Sequence, residues 1–404
     1  MVMRVCFISK YPPIEGGVSA KTYWLAKALG EQGIEIFVIT NSLDVEPEYK
    51  EVILKEDKQF FEPKNVKVFS TPKEAITPIP RSKYYIARLT NLGIDVIRKF
   101  DIDLIYSHYL LPYCVSALFC KKLTNKPLVV RHAGSDLGKL YEDPYLRTLF
   151  VEVFRGADRI ISSHKIKKME KIIKKHKISL DMFVDFHQYV NTNSFNQNVK
   201  PFDLSPYFNK SLENIPIFSY FGKVSRLKKT KEFVKAASLI KNRDFLMLFV
   251  VGKSRGVKEL KDYIKSVGLD KKSVFIPFQP PWKIPSLMTL SSCVVCPESL
   301  EANYLPLGTH FPQIIREAMA CGRCTIVGKG MASKPGYSHL MHNFNSIIVE
   351  STNPKEFAET MEKVIDNPSV ATQIGKRARA TAIKVEKPRQ TVDSLIKVFE
   401  SLID

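Results

Sequence analysis

Two periods of hydrophobic patterning alternate along this chain, and the alternation runs through twice. Short apolar runs at 2–9 (V-M-R-V-C-F-I-S), 34–40, 66–70, 103–108, 127–131 and 158–163 read as buried strands. Between them lie segments with apolar residues at helical spacing. In 18–33, Trp24, Leu25, Ala28 and Leu29 share one face, and 84–100, 113–123 and 165–177 are further helices. The pattern then lapses. Residues 201–216 carry prolines, asparagines and serines with no period and read as an interdomain linker. It restarts with strands at 217–221, 245–252, 274–278, 293–297, 325–328 and 345–349. Helices fall at 232–240, up to 267, and at 312–322, 354–366, 368–383 and 387–403. Strands alternating with helices predict an α/β chain with two Rossmann-like β/α/β domains, 1–200 and 217–384, and a last helix in 385–404.

Length agrees: 404 residues suit two domains better than one core. No apolar run is long enough to span a bilayer, and residues 1–40 read as strand, glycine loop and helix rather than as a signal peptide. The expected location is cytoplasmic. A net charge of +20 favours anionic partners without choosing among phosphates, lipid headgroups and nucleic acid. Helix 165–177 sets an apolar stripe (Ile166, Met169, Ile172, Ile173) against lysines. With the basic, aromatic stretch 81–88, it is a candidate peripheral contact with the inner face of an anionic membrane. The plainer reading is an outer helix with a solvated face. No nucleic-acid recognition motif is present, so no nucleic-acid partner is expected.

Seven cysteines argue against a disulfide framework. Cys293/Cys296 and Cys321/Cys324 have the spacing of a zinc site. However, residues three apart in a strand face opposite sides, so each reads as a buried thiol.

Chemistry gathers after strand ends. Gly16-Gly17 precedes a helix N-terminus, where backbone can approach an anion or simply turn. R-H-A-G-S-D (131–136) places a His and an Asp past a strand; Ser135 or Asp136 could equally cap a helix. G-K-V-S-R-L-K-K (222–229) is a cationic loop suited to a diphosphate, or a set of surface lysines. The stretch 298–322 follows a strand as a polar loop and becomes a helix carrying Glu317, with Ile314, Ile315, Ala318 and Met319 at helical spacing. Such loops sit at the carboxyl edge of a parallel sheet, where ligands bind.

The closing E-A-M-A-C-G of that stretch resembles the signature of family 4 glycosyltransferases, retaining enzymes of the GT-B fold that use nucleotide sugars. The resemblance extends to the double glycine, to R-H-A-G-S-D, to Gly222 with Lys223 and Lys228, and to N-S-I-I-V (345–349). It implies two Rossmann-like domains facing across a cleft. The N-terminal one would bind the acceptor, the C-terminal one the donor, and a final helix would cross back to the first. It implies a donor-facing role for His132, a grip on the leaving diphosphate by Lys223 and Lys228, and ribose anchoring by Glu317. Gly16, Gly17, Gly222, Lys229, Glu301, Thr309, His310 and Phe311 are the implied donor contacts. The expected partners are a nucleotide-diphosphate sugar and a glycan or lipid-linked acceptor, with no cofactor and no metal.

One position departs from the family. The first glutamate of its E-x7-E pair falls at 309, where this chain has Thr309. Three accounts stand: Glu301 or Glu298 folds back, Thr309 and His310 bond the sugar through neutral groups, or the pocket is altered or inactive. Activity with a changed donor preference is favoured, because the lysines and Glu317 are present. The rival functions are a catalytically inactive GT-B subunit that binds a membrane or partner enzyme, and a GT-B-fold nucleotide-sugar epimerase.

Overall fold

The computed structural model describes residues 2–72, 84–133, 136–137, 141–162, 167–186, 189–209, 211–298 and 313–403. The chain forms two compact units. One holds Met1–Gln188 together with Arg389–Asp404; the other holds Tyr189–Tyr304 and Phe311–Pro388.

The N-terminal unit is built on seven parallel strands: β1 (Arg4–Ser9), β2 (Glu35–Thr40), β3 (Val66–Ser70), β4 (Leu104–His108), β5 (Leu128–Arg131), β6 (Arg159–Ile161) and β7 (Phe183–Val184). Their order is β3-β2-β1-β4-β5-β6-β7. The helices are α1 (Gly17–Glu31), α2 (Tyr85–Lys99), α3 (Val115–Thr124), α4 (Pro144–Gly156) and α5 (Lys167–His176). Near-continuous apolar strands demand cover on both faces, which the crossover helices supply. Val5, Cys6, Phe7 and Ile8 are all fully buried.

The C-terminal unit repeats the plan with β8 (Ile217–Phe221), β9 (Leu246–Val250), β10 (Ser273–Ile276), β11 (Cys293–Cys296), β12 (Cys324–Gly328) and β13 (Ile347–Val349), in the order β10-β9-β8-β11-β12-β13. Its helices are α6 (Thr230–Leu239), α7 (Arg255–Ser266), α8 (Ile284–Leu290), α9 (Gln313–Ala320), α10 (Pro354–Asp366) and α11 (Pro368–Val385). The strand order reverses between β1 and β4 in one unit and between β8 and β11 in the other. Those switch points open the crevices where ligands of doubly wound sheets bind. The last helix, α12 (Pro388–Glu400), belongs to the N-terminal unit, where Phe399 is fully buried 6.2 Å from the Tyr106 ring.

The structure departs from the sequence reading at several places. The chain enters the C-terminal unit at Tyr189, not after 200. Arg379 holds that segment through the carbonyls of Thr192 (3.3 Å) and Phe195 (2.8 Å), and Glu386 accepts from the Val190 N–H at 2.9 Å. The stretch read as a linker is a packed strap: Leu204 is buried against β8 and β9, and the Phe202 N–H donates to the Ser286 carbonyl. Helix α4 went unread although Asp143 caps it, with Pro144 in its first turn. The apolar stripe of α5 lies in the core, with Met169, Ile172 and Ile173 buried. Lys171, Lys174 and Lys175 remain exposed on that helix, with Glu170 among them. Residues 165 and 166 lie outside the described residues, as do 81–83. Arg88, from the second basic stretch, is committed to Asp44 at 2.5 Å. Among the described residues no helix is long and apolar enough to cross a membrane.

Candidate functional site

At the switch point of the C-terminal sheet, β8 delivers Gly222 at a φ of 139°, a conformation that favours glycine. The turn is pinned on both sides. The Gly222 N–H donates to the Val250 carbonyl, and the Tyr220 hydroxyl donates to the Lys223 carbonyl at 2.8 Å. Lys223 is therefore exposed on a fixed backbone. A single helical turn, Arg226–Lys228, follows; Lys229 then adopts a left-handed φ of 51° and opens α6. The Lys228 ammonium lies 2.5 Å from the Glu298 carboxylate. Glu298 follows β11, the neighbour of β8 across the switch point, and its side chain is only 10% exposed. The pair thus ties the cationic loop to the start of the 298–322 stretch.

Glu317 is buried on α9. Beside it, Arg316 forks onto Glu386, which is also the acceptor for Val190. This arrangement anchors the helix that carries Glu317. Cys321, just past the helix, has its thiol pushed up to about 12 by burial and then by the Glu317 charge. All four cysteines of the alternative zinc reading are buried. Cys293 and Cys324 are paired directly across β11 and β12. Among the described residues no cluster of metal-type side chains is present.

In the N-terminal unit, Gly16 (φ 116°) caps α1 and Gly17 begins it, with open space where a Cβ would stand on either. An antiparallel bridge between Ile14 and Lys50 holds this loop, and the Glu51 N–H donates to the Pro13 carbonyl at 2.7 Å. The Glu51 carboxylate is buried beside this loop. Burial, then the nearby Glu15 charge, pushes its carboxyl well above the usual carboxylate range. His132 follows β5, its Nε2 2.6 Å from the Ser162 hydroxyl. Asp136 is turned to the backbone: its carboxylate accepts from the N–H groups of Leu110, Ala133 and Leu137, each at 2.9 Å. Asp136 thus organises the backbone of this turn. An apolar groove of about 880 Å³ lies on α2 and α3, lined among others by Tyr84, Ile86, Leu111 and Phe119.

Two family models cover most of the chain. Residues 15–167 match Glycosyltransferase Family 4, and residues 206–381 match Glycosyl transferases group 1. The chain belongs to the family 4 glycosyltransferases. This glycosyltransferase is 24% identical, over the whole of both chains, to an uncharacterized glycosyltransferase of Methanocaldococcus jannaschii. It is 20% identical to the N-acetyl-alpha-D-glucosaminyl L-malate synthase of Bacillus anthracis, over 98% of this chain and 96% of that one. Among solved structures, Anabaena HepE superposes with a TM-score of 0.69 at 17% identity, over 99% of this chain and all of that one. Sucrose-phosphate synthase of Thermosynechococcus elongatus gives 0.69 at 17% identity, over 99% of each. These likenesses fix the fold as GT-B.

The glycosyltransferase gathers its expected site residues in two groups. Gly222, Lys223, Lys228 and Lys229 share one loop at the β8–β11 switch point, and Glu317 lies on the helix after β11. Gly16, Gly17 and His132 follow β1 and β5. Glu301, Thr309, His310 and Phe311 lie outside the described residues. Sequence reasoning named Glu298 only as a stand-in for Thr309, and it missed Glu51 and His108. A lone acid or imidazole carries no periodic signal of burial, so nothing in the pattern marked either one.

Proposed function

We propose that this glycosyltransferase takes a nucleoside-diphosphate sugar as donor and passes the sugar, with retention of anomeric configuration and without a metal ion, to a glycan or lipid-linked acceptor. The observation that carries the reading is the pinned cationic loop at the β8–β11 switch point, with Lys228 set against Glu298. Fixed charges at such a crevice suit a diphosphate better than mobile surface lysines would. The Anabaena HepE structures contain UDP, UDP with glucose, or UDP-glucose, which supports a nucleotide-bearing donor. The apolar groove on α2 and α3 favours a lipid-linked acceptor. The reading includes a cytoplasmic location and peripheral contact of the exposed α5 lysines with an anionic membrane.

In this mechanism Lys223, Lys228 and the N-terminus of α6 stabilise the diphosphate as it departs. Glu317 accepts hydrogen bonds from the ribose hydroxyls. His132, the Gly16-Gly17 loop and the donor contacts Gly222, Lys229, Glu301, Thr309, His310 and Phe311 orient the sugar. The bond from the anomeric carbon to the phosphate oxygen breaks, and the bond to the acceptor oxygen forms on the same face. The acceptor's proton passes to the leaving phosphate.

The test is a thermal-shift panel of UDP-, GDP-, ADP- and CDP-sugars without added metal, on wild type and on Lys223→Ala/Lys228→Ala. A binder raises the midpoint by an amount that grows with the logarithm of its concentration over Kd. One hit lost in the double variant supports the reading and names the base. No shift with any donor at about millimolar concentration, far above a working Kd, would overturn it. With the hit as substrate, NMR of the product's anomeric proton and a chelator control decide retention and metal use.

A further inference from the structure

The glycine loop of the N-terminal unit is braced by the connector between β2 and β3. The Glu15 N–H donates to the Tyr49 carbonyl at 2.9 Å, Ile14 bridges Lys50, and the Glu51 N–H donates to the Pro13 carbonyl at 2.7 Å. This short antiparallel ladder fixes Glu51 beside the residues that lead into Gly16 and Gly17. Glu51 is 8% exposed, and its Oε2 is shut off from solvent with no hydrogen-bond partner among the described residues. Further enclosed hydroxyls without a partner lie on the same edge of the sheet. Ser19 stands in the first turn of α1, Thr40 ends β2, and Thr71 follows β3, its N–H donating to the Thr40 carbonyl. Buried polar groups are normally satisfied, and one left without a partner is costly. Their gathering around a glycine loop points to polar groups that arrive from outside the chain.

The loop also selects their chemistry. Glu15 directly precedes Gly16, and the ladder brings Glu51 alongside. Acids at this helix start disfavour a phosphate, because like charges repel. A carboxyl instead accepts from hydroxyls and, when protonated, donates to them as well. Gly16 and Gly17 leave open space where a Cβ would stand, which gives a ring room beside the loop. A group rich in hydroxyls fits these features; an anion does not. The chain also has Thr309, not an acid, at position 309.

We propose that Glu51 reads the donor sugar: its carboxyl hydrogen-bonds a hydroxyl of the sugar held at the Gly16-Gly17 loop and supplies the acid that position 309 lacks. The proposal rests on the donor reading above, which gives the sugar to this loop and the diphosphate to Lys223 and Lys228. Glu51 is then a specificity residue that acts on the sugar and leaves the nucleotide alone.

The experiment measures binding by calorimetry on wild type, Glu51→Ala, Glu51→Leu, Glu51→Gln and Lys223→Ala/Lys228→Ala. The probes are UDP, GDP, ADP and CDP, each free and carrying a glucosyl, galactosyl, mannosyl or N-acetylglucosaminyl group. Circular dichroism confirms that each variant is folded, and Glu51→Leu, which keeps the buried volume, serves should Glu51→Ala unfold. The readout is the ratio of the Kd of the free nucleotide to that of its sugar, which isolates the sugar's own share of binding. In wild type one sugar should tighten binding. Glu51→Ala and Glu51→Leu should cut that share by about fivefold or more, as for loss of a hydrogen bond to a buried polar group, with free nucleotide unchanged. Glu51→Gln, which keeps a donor and an acceptor, should restore most of it. The double lysine variant should weaken the free nucleotide instead. A purely structural Glu51 would lower every sugar alike, so deoxy analogues of the preferred sugar, each lacking one hydroxyl, follow. At one hydroxyl the two losses should be non-additive, the analogue binding wild type and Glu51→Leu equally. Additive losses at every hydroxyl overturn the proposal. So does a sugar share that survives Glu51→Leu or is absent from the wild type, which would leave the enclosed oxygens to ordered water. Failure of every nucleotide to bind would instead strike at the donor reading, and the proposal would fall with it.

Discussion

The Lys228 ammonium of the β8 loop is held 2.5 Å from the buried carboxylate of Glu298 after β11. A cation assigned to a diphosphate thus already has an internal partner, and an incoming anion must compete with it. Glu298→Gln removes the competitor and keeps the shape. UDP should then bind more tightly, by about threefold or more on the scale of a charge-assisted bond, measured by calorimetry. Weaker binding would mean that the carboxylate aims the lysine rather than competing for it. Lys228→Ala should both weaken UDP binding and cost about 1–3 kcal/mol of stability by leaving Glu298 without its partner.

Gly328 ends β12 beneath the same segment. A Cβ there would stand 2.5 Å from the Ser351 hydroxyl and 2.8 Å from the Glu298 carbonyl. Gly328→Ala should cost about 1–3 kcal/mol in urea unfolding, the usual penalty of overpacking. Because the displaced backbone carries Glu298, it should also change UDP affinity. A variant with lower stability and unchanged UDP binding would separate Glu298 from the donor site.

Glu386 joins three parts of the C-terminal unit. Its carboxylate takes the Arg316 fork and the Val190 N–H, and its side chain is 2% exposed. Removing one partner of such a buried pair strands the other charge. Glu386→Ala should therefore cost about 3–5 kcal/mol. Arg316→Lys should recover little, because an ammonium cannot make the forked contact. Chemical denaturation of the two variants side by side is the measurement.

Two buried groups should make the stability of the N-terminal unit depend on pH, in opposite senses. Burial, then Arg131, Lys21 and His132, depress the His108 imidazole well below its ordinary 6.5. The unfolded chain takes up that proton first, so His108 costs stability as the pH falls below about 6.5. Glu51 is raised well above its ordinary 4.5. Its contribution is full below that value and is lost as the pH rises through the folded-state value. His108→Gln should flatten the loss below about pH 6.5, and Glu51→Gln the loss that sets in as the pH rises above 4.5, in a midpoint-against-pH curve. Unchanged limbs would show that neither group titrates with folding.

Most strands of both sheets were legible as apolar runs, because a parallel strand buried on both faces has little room for polar residues. β7 was not, since Phe183–Val184 is too short for any pattern to register. The crossing into the second unit was hidden as well. Segment 189–200 looks polar, and what binds it are Arg379 and Glu386, distant in sequence. The amphipathic α5 was ambiguous for a different reason: an apolar stripe serves a lipid surface and a protein core equally well. Only the burial of Met169, Ile172 and Ile173 chose between them.

The sequence by itself determined the two α/β domains, the glycine loops after β1 and β8, and the lysines beyond β8, because periodicity and local turn chemistry are written in neighbouring residues. Tertiary structure decided which charges have partners: Lys228 with Glu298, Arg316 with Glu386, and Arg131 with no described carboxylate. Charge pairing depends on distance in space, and in a doubly wound fold residues far apart in the chain meet at the same sheet edge.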